Sequence, residues 1–211
     1  GQREVNCVKL LGLHIDNSYK FTTHTEKVCQ KLRFKLANLN RVRPYLSEGR
    51  AKLITESLVL STISYMAIIY LRLYSNQKKI QKMWNLSARS VLKAPPRTHI
   101  SDMMNELYWL NVTNTYEYLL ICAIRRMREG LMRAPISFNE LFIVRLPEQQ
   151  RLRSTGLRVQ WTRMQSHGRN SFIANGCEAY NKYNLHTELF LNEDVFKESI
   201  KFRIFSRNPN G

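Results

Sequence analysis

Apolar residues recur along much of the chain at spacings of three and four. Val28, Leu32, Leu36, Leu39 and Val42 are spaced 4, 4, 3 and 3, which puts them on one face of a helix. Thr23 and Glu26 stand ahead of that run in the Ser/Thr-x-x-Glu arrangement of a capping box, so the helix is expected to start there and to stop at Pro44. Its other faces hold Lys27, Lys31, Arg33, Lys35, Arg41 and Arg43. Ser47 is the expected cap of a second helix. In it Leu53, Ile54, Leu58, Val59, Ile63 and Met66 give a broad apolar face that becomes nearly all-round toward Tyr70, the pattern of a deeply buried element. A third helix is expected from Gln77 to Lys93, with Ile80, Trp84, Ala88 and Val91 spaced 4, 4 and 3 and Pro95-Pro96 as the stop.

Ser101 begins a short helix through Leu107, and Asn114 or Thr115 a longer one through Tyr118, Leu119, Ala123, Ile124 and Met127, ending near Gly130. Arg125, Arg126 and Arg128 at that end complement the helix dipole. Ahead of all these, the aliphatic stretch Val8 to Asp16 around Gly12 predicts a strand or tight hairpin. After Pro135 the character changes. Residues 145–176 are rich in Arg, Gln, Ser and Gly, and Leu157, Val159 and Trp161 alternate with polar residues, which predicts a strand in a small hairpin-like unit. An amphipathic helix with Val195, Phe196, Ile200 and Ile204 closes the chain.

Composition supports a folded chain. Over 211 residues, 44% hydrophobic and 23% charged content exclude disorder by low hydrophobicity, and the length suits one large domain or two small ones. Cys7, Cys29, Cys122 and Cys177 show no Cys-x-x-Cys spacing, which argues against a disulfide framework or zinc module and makes a reducing compartment the default. The chain opens on Gly1 without Met and without a signal-peptide pattern, so it reads as a piece of a longer protein. The charge-free stretch Ser57 to Leu71 is shorter than the ~20 apolar residues of a membrane span, and a buried core helix is expected there.

Charge changes the picture most. Thirty-three Lys and Arg against 16 Asp and Glu give a net charge of +17. No acidic residue lies between Glu56 and Asp102, where Arg72, Lys78, Lys79, Lys82, Arg89, Lys93 and Arg97 fall. Such self-repulsion is costly unless something anionic binds, so nucleic acid is the expected partner. A merely solvated basic face is the plainer alternative. A membrane surface ranks third, because the basic helices lack an exposed Trp/Phe face.

No catalytic constellation stands out. Glu193-Asp194 sits at an expected helix start, where acids are favoured by the dipole. His14, His24, His99, His167 and His186 have no second ligand at i+3 or i+4, so no metal site is expected. The phosphate-loop, dinucleotide and nucleophile-elbow patterns are all missing from the sequence.

The order of motifs resembles a known family. Val8 to Asp16, followed by an aromatic, a His and a Lys-rich helix, is similar to the aliphatic-Leu-Gly-aliphatic stretch at the end of the palm in non-LTR retrotransposon reverse transcriptases. Ile80 through Lys93 resembles that family's I-x-x-x-Q-N-x-A-A-R-x-I-T-G segment, with Ile80, Asn85, Ala88, Arg89 and Val91 in register. Trp84 stands where Gln is usual, Ser87 where the first Ala is, and Lys93 where Gly is. Ser61 to Tyr70 is similar to the S-I-L-x-Y-G helix, with Tyr65 matched and Met66 replacing Gly. Arg153-Ser154, Leu157-x-Val159 and Ser171-Phe172 look like the C-terminal signatures of jockey-like elements. Tyr180-Asn181 stands where those show Trp-Asn, Asn184 replaces the following Pro, and Phe196-Lys197 with Lys201 resembles the closing F-K-x-x-L-K.

The resemblance implies a mainly α fold: a helical thumb-like bundle with a short N-terminal strand or hairpin and a small β-containing C-terminal extension. Residues 1–22 would be the end of the palm with its primer-grip-like hairpin, 23–134 the thumb and following helices, and 135–211 the extension. The polymerase aspartates of the family lie upstream. No Tyr-x-Asp-Asp occurs here, and Asp16 and Asp102 do not substitute for it. Mg would then be held only by the absent palm, no cofactor is expected in this fragment, and the chain alone is predicted inactive.

The implied partner is an RNA/DNA primer-template duplex, with no membrane and no small-molecule substrate, in cytoplasm and nucleus. Leu11 and Gly12 would lie near the primer end, Lys27, Lys31, Arg33 and Lys35 would face the backbone, and Lys78, Lys79, Lys82 and Arg89 form a second set. Arg89 adjoins Ala88 on the core face and could equally hold a buried carbonyl or a Glu from another helix. The alternative from another class is a domesticated or orphan basic helical module that binds nucleic acid or a protein partner without polymerase activity.

Overall fold

The apolar spacing is realised as a mainly helical chain. The structure, a computed structural model, describes residues 7–131, 142–145, 156–159, 172–183, 185 and 192–207. Two compact units divide it, Gly1–Asn114 and Thr115–Arg207, so the division falls earlier than the expected boundary near Pro135. Among the described residues no helix is long and apolar enough to cross a membrane.

The first unit opens on an antiparallel hairpin, β1 (Cys7–Leu10) with β2 (Leu13–Asp16), in the register Cys7↔Asp16 to Leu10↔Leu13. Its two-residue turn has positive φ at both positions, 47° at Leu11 and 84° at Gly12. That turn geometry matches the twist of paired strands and is nearly free for glycine alone. Helix α1 (Thr22–Val42) buries Val28, Leu32, Leu36 and Leu39 as expected. Val42, the last residue of α1, is exposed, and a 3-10 turn (Arg43–Tyr45) follows it.

The expected capping box does not form: Phe21 occupies the cap position with φ 56°, and its own side chain makes no capping bond. Asp16 does the work from the end of β2. Its carboxylate accepts from Lys20 N at 2.9 Å, Thr22 N at 3.1 Å and Ser18 Oγ at 2.9 Å, meeting the amide at the start of α1 with a negative charge. Glu26 is left to pair with Lys79 at 3.2 Å.

The expected second helix is broken into α2 (Glu48–Thr55), a π-helical turn (Glu56–Leu60), α3 (Ser61–Ser64) and α4 (Ala67–Tyr70). A π turn inserts one residue into the helical period, so residues on its two sides cannot share one face. Ala51, Val59, Ile63, Ala67 and Tyr70 are buried, whereas Leu53 is 67% exposed and Leu58 also faces solvent. Met66, with φ 55°, separates α3 from α4.

Helix α5 (Tyr74–Leu92) buries Ile80, Trp84, Ala88 and Val91 and packs along α1. Its polar residues tie neighbouring segments down. Asn76 Nδ2 donates to Lys20 O and Tyr70 O, both at 2.8 Å, Gln77 Nε2 to Leu71 O at 2.8 Å, and Gln81 Oε1 accepts from Val112 N at 2.7 Å. After it come α6 (Ile100–Leu107) and α7 (Val112–Arg128), which starts in the first unit and continues in the second. Trp109 stacks on Trp84 at 4.1 Å, while Trp84 Nε1 donates to Leu110 O at 3.0 Å and Trp109 Nε1 to Glu56 Oε1 at 2.8 Å.

In the second unit the expected hairpin is present as β3 (Phe142–Arg145) with β4 (Gly156–Val159), antiparallel, with Phe142↔Val159 at one end and Arg145↔Gly156 at the other. Helix α8 (Phe172–Lys182) approaches α7 so closely that a Cβ on Gly176 would lie 2.7 Å from Ile124 Cγ1. Helix α9 (Glu193–Arg207) buries Phe196, Ile200 and Ile204 but leaves Val195 exposed. The motif residues Arg153, Ser154, Trp161, Ser171 and Asn184 lie outside the described residues.

Lys93 ends α5 with φ 49°, its following amide, Ala94 N, donating to Arg89 O at 3.1 Å. A left-handed residue at that position favours glycine. Lys93→Gly should therefore raise stability by roughly 0.5–1 kcal/mol, the relief of the side-chain clash exceeding the extra unfolded-state freedom. Urea unfolding at constant m-value reads this directly, and a lower midpoint would contradict it.

Candidate nucleic-acid interface

The hairpin tip, α1 and the end of α3 meet in a groove of about 270 Å³ lined by Gly12, His24, Val28, Lys31, Lys35, Ser61, Thr62 and Tyr65. Tyr65 sets its edge. The phenol Oη donates to Leu11 O and lies 3.7 Å from where a Cβ on Gly12 would stand, so the turn is held against α3 through its backbone. Leu11 itself projects, 75% exposed.

Lys27 and Lys31, four apart on α1, are exposed. Lys35 is different. Its Nζ donates to Leu58 O at 2.9 Å and Thr62 Oγ1 at 2.6 Å, so it ties α1 to the π turn while its charge remains at the groove, because both partners are neutral. A second groove, about 410 Å³, runs between α1 and α5 and brings Arg33 and Arg89 to one place beside Asn40 and Ser90.

The carbonyl reading of Arg89 is the one realised: Nη1 donates to Pro95 O at 2.9 Å and Nη2 to Thr98 O at 3.0 Å, closing the loop after α5. Lys78 lies over the Tyr74 ring at 4.6 Å, Lys79 pairs with Glu26, and Lys82 is exposed. None of these three lines either groove.

Several cations are held internally. Arg43, 7% exposed, donates from Nε to Ser90 O at 3.0 Å and Val91 O at 3.1 Å, from Nη2 to Val91 O, and from Nη1 to Leu46 O at 2.8 Å. A cation there satisfies orphan carbonyls at the negative end of α5. In the second unit Arg125 Nε meets Glu129 at 2.6 Å with its guanidinium over Phe196, Arg126 pairs with Glu193 at 3.0 Å, and Arg128 reaches Tyr180 Oη at 2.9 Å.

Sequence reasoning missed the pair His14 and His24. His14 N donates to His24 Nδ1 at 3.4 Å, the two rings stack at 6.0 Å, and His24 meets the Tyr70 ring edge-on at 4.8 Å. Burial, then the charge of His14, Lys31 and Lys27, holds His24 down at about 4. Burial and Lys27, Lys9 and Lys31 lower His14 as well. No local pattern joins residues ten apart across a turn, so only folding assembles them. Tyr65 did carry a signal, as the matched tyrosine of the resembling helix.

Among the described residues no three His, Cys, Asp or Glu side chains gather as a metal site, and burial pushes the Cys29, Cys122 and Cys177 thiols up, away from thiolate chemistry. The arrangement offers cations, hydroxyls and backbone at a hairpin tip. No protein-family model matches the chain, and comparison with curated proteins and with solved structures also returns no match.

Because His24 is held neutral in the folded chain but titrates near 6.5 when unfolded, the unfolded state binds more protons between those values. Stability should be flat above about pH 6.5 and fall as pH drops toward about 4, with a slope of up to ~1.4 kcal/mol per pH unit for one proton. Urea unfolding from pH 4 to 7.5 measures the slope. His24→Gln should flatten it, and an unchanged slope would show that this imidazole is not the group responsible.

Proposed function

We propose that this chain is the nucleic-acid-gripping C-terminal part of a non-LTR retrotransposon reverse transcriptase, holding a primer-template duplex while a separate palm performs nucleotidyl transfer. The observation that carries the reading is the groove in which Gly12 of the hairpin meets Lys31 and Lys35 of α1. Residues of two separate family-like motifs, the Leu-Gly hairpin and the Tyr65 helix, border the same cations.

A second feature supports it. Met66 and Lys93 stand where the family shows glycine, and both have left-handed φ, 55° and 49°. Glycine is the residue such a backbone favours, so the substituted positions keep the conformation that a glycine would explain.

Mechanistically, an A-form heteroduplex presents phosphates and 2′-hydroxyls across a wide, shallow minor groove that a helical surface can bind by shape without reading sequence. Lys27 and Lys31 supply charge for phosphates on the exposed stripe of α1, Lys35 adds field from a fixed position, and Arg33 stands over the second groove. Charge of this kind provides grip and processivity, with no chemistry of its own.

Lys27→Ala combined with Lys31→Ala tests the reading. Affinity for an RNA–DNA heteroduplex should fall, and the slope of log K against log salt should flatten by roughly 0.9 per lost phosphate contact. Arg89→Ala is the contrast: it should loosen the loop from Pro95 to Thr98 and lower thermal stability while leaving the salt slope nearly unchanged. A wild-type chain that fails to bind heteroduplex at low salt, or a double variant with an unaltered slope, overturns the assignment.

A further inference from the structure

Gripping alone does not require what lies beneath the first groove. His24, 4% exposed, lines it together with Lys31 and Lys35. Its Nδ1 accepts from His14 N, which leaves the ring proton of the neutral form on Nε2, and that buried Nε2 has no partner. Nδ1 of His14 is buried and unpartnered too. Polar atoms in such positions normally find a partner or a ligand. Above them, Lys31 and Lys27 form no ion pair among the described residues, and Lys35 is bonded only to neutral oxygens.

We propose that this groove seats one phosphate group, held by Lys31 and Lys35 above the His14–His24 pair. The proposal rests on the reading of this face as a nucleic-acid surface, which makes a backbone phosphodiester the natural occupant; free inorganic phosphate carries the same chemistry.

Proton uptake follows from the surroundings of the pair. The titratable groups facing it are Lys9 from β1, Lys27, Lys31 and Lys35 from α1, and Tyr65 and Tyr70 from the segment after α2. All are cations or neutral hydroxyls. Part of what keeps the imidazoles uncharged is repulsion from Lys27 and Lys31, and an anion seated between Lys31 and Lys35 offsets it. The imidazolium form is then less disfavoured, a proton enters from solvent, and a phosphodiester is held more tightly as pH falls into the range between the bound and free His24 midpoints, the free one being about 4.

Imidazole NMR titration of the full chain tests this, in chloride, in inorganic phosphate at equal ionic strength, and with a short RNA–DNA hairpin duplex. Occupation should raise the His24 midpoint by about one pH unit or more, a tenfold gain in proton affinity. Lys31→Ala, at an exposed position that leaves the core intact, should abolish most of that rise. If both ligands move His24, the proposal and the nucleic-acid reading stand together. If phosphate moves it and the duplex does not bind, the phosphate seat stands and the reading of this face falls. If the duplex binds while His24 stays unmoved in both ligands, the seat is overturned and the reading survives. A midpoint that moves equally in chloride and phosphate also overturns the seat.

Discussion

The apolar stripes of α1 and α5 are buried where these two helices pack, and that burial decides where every charge on them can go. Val28, Leu32, Leu36 and Leu39 on one side and Ile80, Trp84, Ala88 and Val91 on the other are inside. With 3.6 residues per turn, the remaining positions of α1 form an outer stripe, and Lys27 and Lys31 fall on it. The seam is closed at both ends by polar contacts, Lys79 with Glu26 near the start of α1 and Arg43 with the carbonyls of Ser90 and Val91 near its end. Removing apolar volume from the seam would therefore disturb both grooves at once, since Val28 lines one and Leu36 the other.

A net charge of +17 does not mean that every cation is displayed. Arg43 and Arg89 are bound to backbone carbonyls, and Arg125, Arg126 and Arg128 to partners in the second unit. Arginine suits these sites, since its planar fork satisfies several acceptors from one position. The lysines behave differently: Lys27, Lys31 and Lys82 reach solvent. Carboxylates near the seam are occupied, Glu26 by Lys79 and Glu56 by Trp109. Among the described residues, Lys27 and Lys31 on α1 and Lys82 on α5 are exposed cations on the two seam helices, alongside Arg33 and Arg41, so the charge has named positions that composition alone does not supply.

The helices with regular spacing were legible in the sequence because one buried face leaves a periodic record. Helices α1, α5, α6 and α7 and the first hairpin fall close to where the pattern puts them. The segment from Ser47 to Tyr70 did not, because a π turn and a left-handed Met66 each change the phase of the helix without leaving a Pro or Gly to mark it. The capping box failed for a related reason: a local motif can be outcompeted by a carboxylate brought in from a neighbouring strand, and Asp16 was. Of the candidate site, Gly12, Lys31 and Lys35 were readable as hairpin and helix positions. The histidine pair and the internal bonding of Lys35 depend on contacts across the fold, which spacing along one chain does not encode.

Trp84 shows how a departure from the resembling pattern can be absorbed. A tryptophan where a glutamine is usual would leave a large apolar ring and one N–H to accommodate inside the protein. Here Trp109 stacks on the ring and Leu110 O takes the N–H, so the position is filled and satisfied. Met66 and Lys93 are the opposite kind of departure. Nothing about a methionine or a lysine suits a left-handed backbone, and yet the chain adopts that conformation at both places. A fold holds a turn that its residues disfavour when the surrounding contacts fix it. Around Met66 those contacts include the bond from Tyr65 to the hairpin turn and the burial of Ala67 and Tyr70. The same turn positions Tyr65 at the groove edge, so the local cost at Met66 and the placement of the candidate site have one structural cause.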